Sequence, residues 1–130
     1  MAETVTAEEM AAIEDNAEYL GVSKLQLMEC AGKAVADLVE ELKIGREVSV
    51  YAGTGRNGGD GMVAARHLAS KGFKVNFTLI GGEERIVDPS TKVNWKALKA
   101  MNSSVNILIA RDSSEIPRVE KPIIIVALLG

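Results

Sequence analysis

The sequence predicts an α/β protein in which helices cover both faces of a parallel β-sheet. Apolar, β-branched runs alternate with segments whose apolar residues recur at helical spacing, and this alternation is typical of parallel sheets. The run at residues 123–129 (IIIVALL) is apolar on every side, as strands buried in parallel sheets are. A strand-like run at 47–52 passes through a glycine-rich segment directly into a helical pattern. The length of 130 residues fits one domain.

Two helices are predicted before the first strand. Thr6 begins a capping-box pattern, and Gly21 is expected to end the helix that follows. Ser23 is expected to cap the second helix, which we predict to end at Gly45. Gly32 lies inside this helix, where glycine costs about 1 kcal/mol against alanine, so it predicts close packing of another backbone. The predicted apolar stripe of the second helix is Leu25, Met28, Ala31, Val35, Leu38, Val39 and Leu42.

The remaining elements alternate between strand and helix. We predict strands at 47–52, 74–80, 105–110 and 123–129, with helices at 59–71 and 90–101. The polar segments 83–92 and 111–121 are predicted to be mainly loops.

Composition excludes several classes of function. The net charge is −3 and no basic stripe is present, which argues against nucleic acid and membrane surfaces as partners. A single cysteine permits no internal disulfide, as expected for a reducing cytoplasm. The acidic amino terminus (MAETVTAEEM) lacks the apolar core of a signal peptide, and no apolar run approaches the ~20 residues of a membrane span. A cytoplasmic location is therefore expected.

The segment 53–61 (GTGRNGGDG) is the strongest functional signal in the chain. Its five glycines lie between a predicted strand and a predicted helix, where bare N–H groups can face an anionic ligand. The match of 53–58 to GxGxxG is weak alone, because Glu83 lies too far along to be the confirming acid after the second strand. No Lys-Ser or Lys-Thr pair follows, which excludes a Walker loop. A purely structural turn is the alternative interpretation.

The longer string GTGRNGGDG followed by MVAARHL resembles the NAD(P)H-hydrate epimerase family, also called the YjeF N-terminal domain. Further motifs agree: Asp-Asn-Ala at 15–17, Leu-Gly-Val-Ser at 20–23 and LMECAG at 27–32 resemble the entry helices of that family. The final IIIVALLG resembles the family's next strand, usually VDALLG. The resemblance spans nearly all of residues 1–130, which we expect to form a family domain incomplete at its carboxyl end.

The resemblance implies a three-layer α/β/α Rossmann-like sandwich, here truncated after about four strands. It also implies interconversion of the R and S hydrates of NADH and NADPH, K⁺ binding and, often, a homodimer. Asn57 would be a K⁺ ligand through its side-chain oxygen. The residues that would hold the hydrated nucleotide are Arg56, Asn57, Gly58, Gly59, Asp60 and, in the final motif, Gly130. Because Asp60 would repel a diphosphate, we expect its carboxylate to turn inward and Arg56 to supply the positive charge.

Two departures from the family pattern weaken the expectation of catalysis. Val126 stands where the family has an aspartate that binds K⁺, and a valine side chain cannot coordinate a cation. The family's catalytic aspartate and a further K⁺ ligand would lie beyond residue 130, so no catalytic residue is assigned within the given sequence. Impaired epimerase activity is therefore expected. A non-catalytic nucleotide-binding module and an unrelated dehydrogenase half-domain using GxGxxG are the alternatives.

Other chemically active side chains have structural interpretations. Cys30 lies on the second helix and is predicted to pack, and His67 is predicted to be structural because it has no metal partners in the sequence. Trp95 is predicted to lie in the core or on a dimer face rather than to stack on a base. Asp60 has two open roles, ligand contact and capping of the loop.

Overall fold

The computed structural model describes residues 6–116 and 123–127. Its four strands are β1 (Glu47–Ala52), β2 (Lys74–Ile80), β3 (Val105–Ala110) and β4 (Ile123–Ala127). They form one parallel sheet in the order β3-β2-β1-β4. This confirms the predicted α/β class with a parallel sheet.

The long helices form a layer against the sheet. They are α1 (Ala7–Tyr19), α2 (Lys24–Leu42), α3 (Arg56–Ser70) and α4 (Pro89–Lys99), with short 3₁₀ turns at Glu83–Arg85 and Ser113–Glu115. The central helix α3 packs against α2 on one side, α4 on the other and the strands beneath it, while α1 contacts α2. None of the helices within 6–116 has the length and apolar content needed to cross a bilayer.

The core lies between this helical layer and the sheet. Val50, Phe77 and Leu79 point from β1 and β2 toward α3 and α4, and each is almost fully buried. Trp95 on α4 is buried and its ring centroid lies 6.1 Å from that of Phe77, which confirms its predicted place in the core. The side chains that hold the sheet to the helices are therefore the apolar ones that alternate along the strands.

The strand order reverses at β1. The chain moves from β1 to β2 to β3 in one direction, and β4 then pairs with the opposite edge of β1. The N–H of Gly53, directly after β1, donates a 2.8 Å hydrogen bond to the carbonyl oxygen of Ala127 at the end of β4. The crevice beyond the carboxyl ends of β1 and β4 is thus a topological switch point, the usual place for ligands in such sheets.

Helix starts follow the predicted caps. The Thr6 hydroxyl oxygen accepts from the N–H of Glu9 at 3.0 Å, and Ser23 forms a complete capping box with Gln26. The start of α4 is one residue earlier than predicted, because the Asp88 carboxylate caps it by accepting from the N–H of Thr91 at 2.9 Å.

Element ends were predicted less well. The prediction that α2 ends at Gly45 is wrong: the helix stops at Leu42, because Lys43 takes a left-handed conformation with φ 54°. The predicted helix to residue 101 ends at Lys99. The predicted strand 123–129 is described to Ala127, and its last two residues lie outside the described part of the chain.

The predicted apolar stripe of α2 is also largely wrong. The buried positions on α2 are Met28, Gly32, Ala36 and Val39. Val35, Leu38 and Leu42 are exposed, with Leu38 at 55%. A Cβ on Gly32 would overlap Val63 of α3 and lie 2.8 Å from the carbonyl oxygen of Asp60. The face of α2 that contains Gly32 is therefore the one that packs against α3. This confirms the close backbone packing that Gly32 predicted.

Cys30 is exposed, which corrects the prediction that it packs. The reason is the same choice of helix face, since Cys30 lies two residues from Met28 and Gly32 and points away from α3.

Candidate functional site

The glycine-rich segment is a short turn followed by helix, rather than a nine-residue loop. The helix α3 begins at Arg56, three residues before the predicted start at 59, with Gly55 as its extended N-cap residue. The N–H of Gly59 already donates to the carbonyl oxygen of Gly55 at 3.1 Å. Residues 56–60 therefore form the first helical turn, and only 53–55 connect it to β1.

Three of the glycines lie at close contacts. A Cβ on Gly58 would overlap the carbonyl oxygen of Gly53, and one on Gly61 would lie 2.9 Å from the Cβ of Ala127. A Cβ on Gly59 would lie 2.5 Å from the sulfur of Met28 on α2. The spacing of the glycines thus brings α3 onto the turn, onto β4 and onto α2 at once, which explains why so glycine-rich a segment is helical.

The amino end of α3 differs from those of its neighbours. Ser23 and Asp88 cap α2 and α4 with side-chain hydrogen bonds, whereas the N-cap residue Gly55 makes none. The Thr91 hydroxyl lies 3.3 Å from the carbonyl oxygen of Gly55 and positions this turn from the α4 side. An amino end without a side-chain cap presents N–H groups and the positive end of the helix dipole to the switch-point crevice.

The predicted site residues divide between two sides of α3. Asn57 lies one turn before Gly61, which packs on β4, so the partly buried Asn57 is on the side of the β1–β4 crevice. Arg56 and Asp60, four residues apart, line a groove on the other side, between α3 and helices α1, α2 and α4. Gly130 lies outside the described residues.

Val126 lies opposite Tyr51 in the register of β4 with β1, one residue before Ala127. Gly58 and Gly59 lie between the two sides of α3 and are buried against Gly53 and Met28. The structure therefore separates residues that the sequence motif presents as one loop.

A polar network that the sequence analysis did not identify supports this helix start. The Glu29 carboxylate on α2 accepts from Arg66 and lies 2.5 Å from Nε2 of His67, both on α3. Arg66 also donates to the side-chain oxygen of Asn94 on α4 at 3.1 Å. The network ties α2, α3 and α4 together one to three turns beyond the site, and His67 is structural as predicted.

Opposing effects act on the Glu29 carboxyl. Burial works to raise its pKa, but the hydrogen bonds from His67 and Arg66 outweigh burial, so the pKa of Glu29 lies below its usual value. Its signal in the sequence was an acid within the otherwise small and apolar string LMECAG at 27–32.

Carboxylates near the ends of β1 and β2 have other partners. Glu83 accepts from the indole N–H of Trp95 at 3.2 Å and lies 3.6 Å from Lys99, and Asp88 caps α4. Glu83 is therefore turned toward α4 rather than held as the ribose-binding acid of a dehydrogenase. Among residues 6–116 and 123–127, no group of three His, Cys, Asp or Glu side chains could hold a metal ion.

Comparison with known proteins identifies a family match and several proteins of similar sequence. Residues 24–130 match the family described as YjeF-related protein N-terminus. A bifunctional NAD(P)H-hydrate repair enzyme Nnr of Hyperthermus butylicus is 45% identical over 131 residues, covering 100% of this chain and 24% of that protein. An NAD(P)H-hydrate epimerase of Cenarchaeum symbiosum is 40% identical over 100 residues, covering 76% of this chain and 47% of that protein.

A solved structure agrees with the fold. The crystal structure of yeast ynu0, YNL200c, matches with a TM-score of 0.66 and 30% identity, over 87% of this chain and 49% of that one. The chain thus spans about a quarter of the Hyperthermus enzyme and about half of the yeast protein.

Proposed function

The chain belongs to the family of YjeF-related protein N-termini, and on this premise we propose that it binds hydrated NADH and NADPH at the carboxyl ends of β1 and β4. Relatives described as NAD(P)H-hydrate repair enzymes and epimerases support this ligand class. The observation that carries the proposal is the start of α3, without a side-chain cap and directly beside the switch-point crevice. Membership of this family also argues against the alternative of an unrelated dehydrogenase.

The diphosphate is the part of the ligand that this helix start suits best. The N–H groups of the first turn and the helix dipole attract an anion, and Gly55 places no Cβ in its approach. Asn57, on the crevice side, offers one amide acceptor and two donors to the hydrated ring. Backbone groups thus hold the phosphates and one side chain orients the reacting half.

Epimerisation needs a group that moves a proton at the hydrated carbon. The described carboxylates around the crevice are engaged elsewhere: Asp88 caps α4, Glu83 accepts from Trp95, and Asp60 lines the outer groove. We therefore propose that this chain binds the hydrate but does not interconvert its two forms at a measurable rate. Within the described residues, this arrangement also favours the second candidate, a non-catalytic nucleotide-binding module.

We infer that K⁺ binding through Asn57 is weak in this chain. Hard cations need several oxygen ligands, and at this edge the described side chains contribute the Asn57 amide oxygen, while Val126 contributes none. The residues that the structure describes at this edge do not form a cation cage, so no part of the proposed binding depends on the ion. Nucleotide affinity is expected to be equal in potassium and tetramethylammonium chloride, and V126D is expected to make it potassium-dependent. A potassium requirement in the unmodified chain would contradict this inference.

The exposed face of α2 is the surface through which we propose that two copies associate. Val35, Leu38 and Leu42 form an exposed apolar stripe on this helix, beside the ion pair of Lys33 with Asp37. A mass of two chains by light scattering, reduced to one chain by L38E, is the expected result, and a monomer before mutation would contradict it.

The binding proposal is tested by replacing Asn57. We expect N57A to weaken binding of hydrated NADH about tenfold, because a hydrogen bond to a ligand contributes about 1 kcal/mol or somewhat more. The matched control is N102A, at an exposed asparagine far along the chain from the crevice. Calorimetric titration measures both dissociation constants.

Equal affinities for N57A and N102A would show that Asn57 takes no part in binding. The same preparations are assayed by chromatography for interconversion of the S and R hydrates. No rate above the uncatalysed one is expected, and measurable turnover would reject the binding-only candidate.

A further inference from the structure

The groove on the outer side of α3 is a pocket of about 310 Å³. Its floor and wall are apolar and come from Ile13, Leu27, Met28 and Ala31 on α1 and α2. Its rim is polar and consists of Lys24, Arg56, Asp60 and Ser90. An apolar slot of this volume with a few convergent polar groups is typical of small-molecule sites.

The floor of the groove is held in place from below. Met28 is 6% exposed, and its sulfur accepts from the side-chain amide of Asn94 on α4 at 3.2 Å. Gly59 of α3 lies against the same sulfur, which a Cβ at this position would approach to 2.5 Å. A fixed thioether beside aliphatic carbons is a favourable surface for a planar aromatic ring.

The rim carries two cations from different helices. Lys24 lies 3.0 Å from Asp15, and the hydrogen bond to Asp15 raises the pKa of Lys24, so this side chain stays charged. Arg56 lines the same groove, so two cationic side chains lie on its rim. An anion in the groove would be attracted by both side chains.

We propose that this groove binds the adenylate half of a dinucleotide whose hydrated half lies beside Asn57. The inference rests on the proposed function. Arg56 and Asn57 are consecutive residues on the first turn of α3, so a diphosphate crossing that amino end joins the two sides.

Each polar group of the rim has a complement on adenylate. The Asp60 carboxylate suits the exocyclic amine, which is a donor, and the Ser90 hydroxyl suits a ring nitrogen acceptor. Lys24 and Arg56 suit the phosphate.

The test introduces a larger side chain at an exposed helix position that lines the groove, which makes the groove narrower. Ala31 and Ala34 are both exposed on α2, but only Ala31 lines the groove. We expect A31F to weaken AMP binding at least tenfold and A34F to change it less than twofold. Hydrated reduced nicotinamide mononucleotide, which lacks the adenylate, should bind both variants as it binds the unmodified chain.

A second measurement needs no mutation. AMP should shift the methyl resonance of Met28, which lines the groove, and leave that of the fully buried Met62 unchanged. Equal AMP affinities of A31F and A34F, or an unshifted Met28 methyl, would overturn the inference about the groove. Binding of the hydrated mononucleotide in that case would still support the proposed function. Failure of the mononucleotide to bind would instead remove the proposed function.

Discussion

At the start of α3 the smallest residues are buried, whereas on the outer face of α2 large apolar residues are exposed. In α3 the smallest residues, Gly58 and Gly61, are fully packed against Gly53 and Ala127. On α2 the large apolar residues Leu38 and Leu42 are more than half exposed. At the contacts of α3 with the turn and with β4, burial is therefore decided by the close approach of two backbones, and that approach needs small side chains.

The largest effect that this comparison predicts is for G58A. Its added methyl group would overlap the main-chain oxygen of Gly53, which cannot move without distorting the turn. We expect a loss of about 2–3 kcal/mol in the free energy of unfolding, net of the roughly 1 kcal/mol by which alanine favours a helix. Urea denaturation measures it.

The matched variant on the other side of the comparison is L38A, at a position 55% exposed in the single chain, measured at a dilution where two copies do not associate. Its expected change in unfolding free energy is below about 0.5 kcal/mol. A larger loss for L38A than for G58A would reverse the conclusion about small residues and close approach.

A smaller loss of stability is expected where charged side chains link the helices. Replacing Glu29 in E29Q removes the anion that binds Arg66 and His67, and about 1–2 kcal/mol of stability should be lost at pH 7. E41Q, at an exposed glutamate on the same helix, is the control.

The pH dependence of this loss has a definite sign. Because the pKa of Glu29 is depressed in the folded state, its contribution is present above its ordinary value of about 4.3 and is lost as the pH falls through the folded value. Unfolding measured between pH 5 and 3 should therefore show the difference between E29Q and the unmodified chain shrinking toward acid. A difference that grows toward acid would show that the carboxylate is not stabilised by these partners.

The sequence predicted those parts of the molecule that depend on local pattern. The four strands, the caps at Thr6 and Ser23 and the close packing at Gly32 follow from periodicity and from residues within a few positions. Arrangements that depend on distant neighbours were missed. Gly53 to Gly61 looked like a loop because nothing local shows that Met28 and Ala127 approach these glycines.

The candidate site follows the same division. The motif at 53–61 located the site, but a linear string cannot show that Asn57 and Arg56 lie on different sides of one helical turn. Glu29 escaped notice because its partners lie 37 and 38 residues away along the chain. Helical phase and tertiary partners, rather than residue type, supply this missing information.

The most direct test of the account is to follow the backbone amides during titration with hydrated NADH. If the first turn of α3 binds the diphosphate, the ¹H–¹⁵N resonances of Gly55, Asn57 and Gly58 should shift most, while those at the capped starts of α2 and α4 shift less. Saturable shifts confined to another part of the chain, with residues 55–58 unchanged, would contradict the central claim.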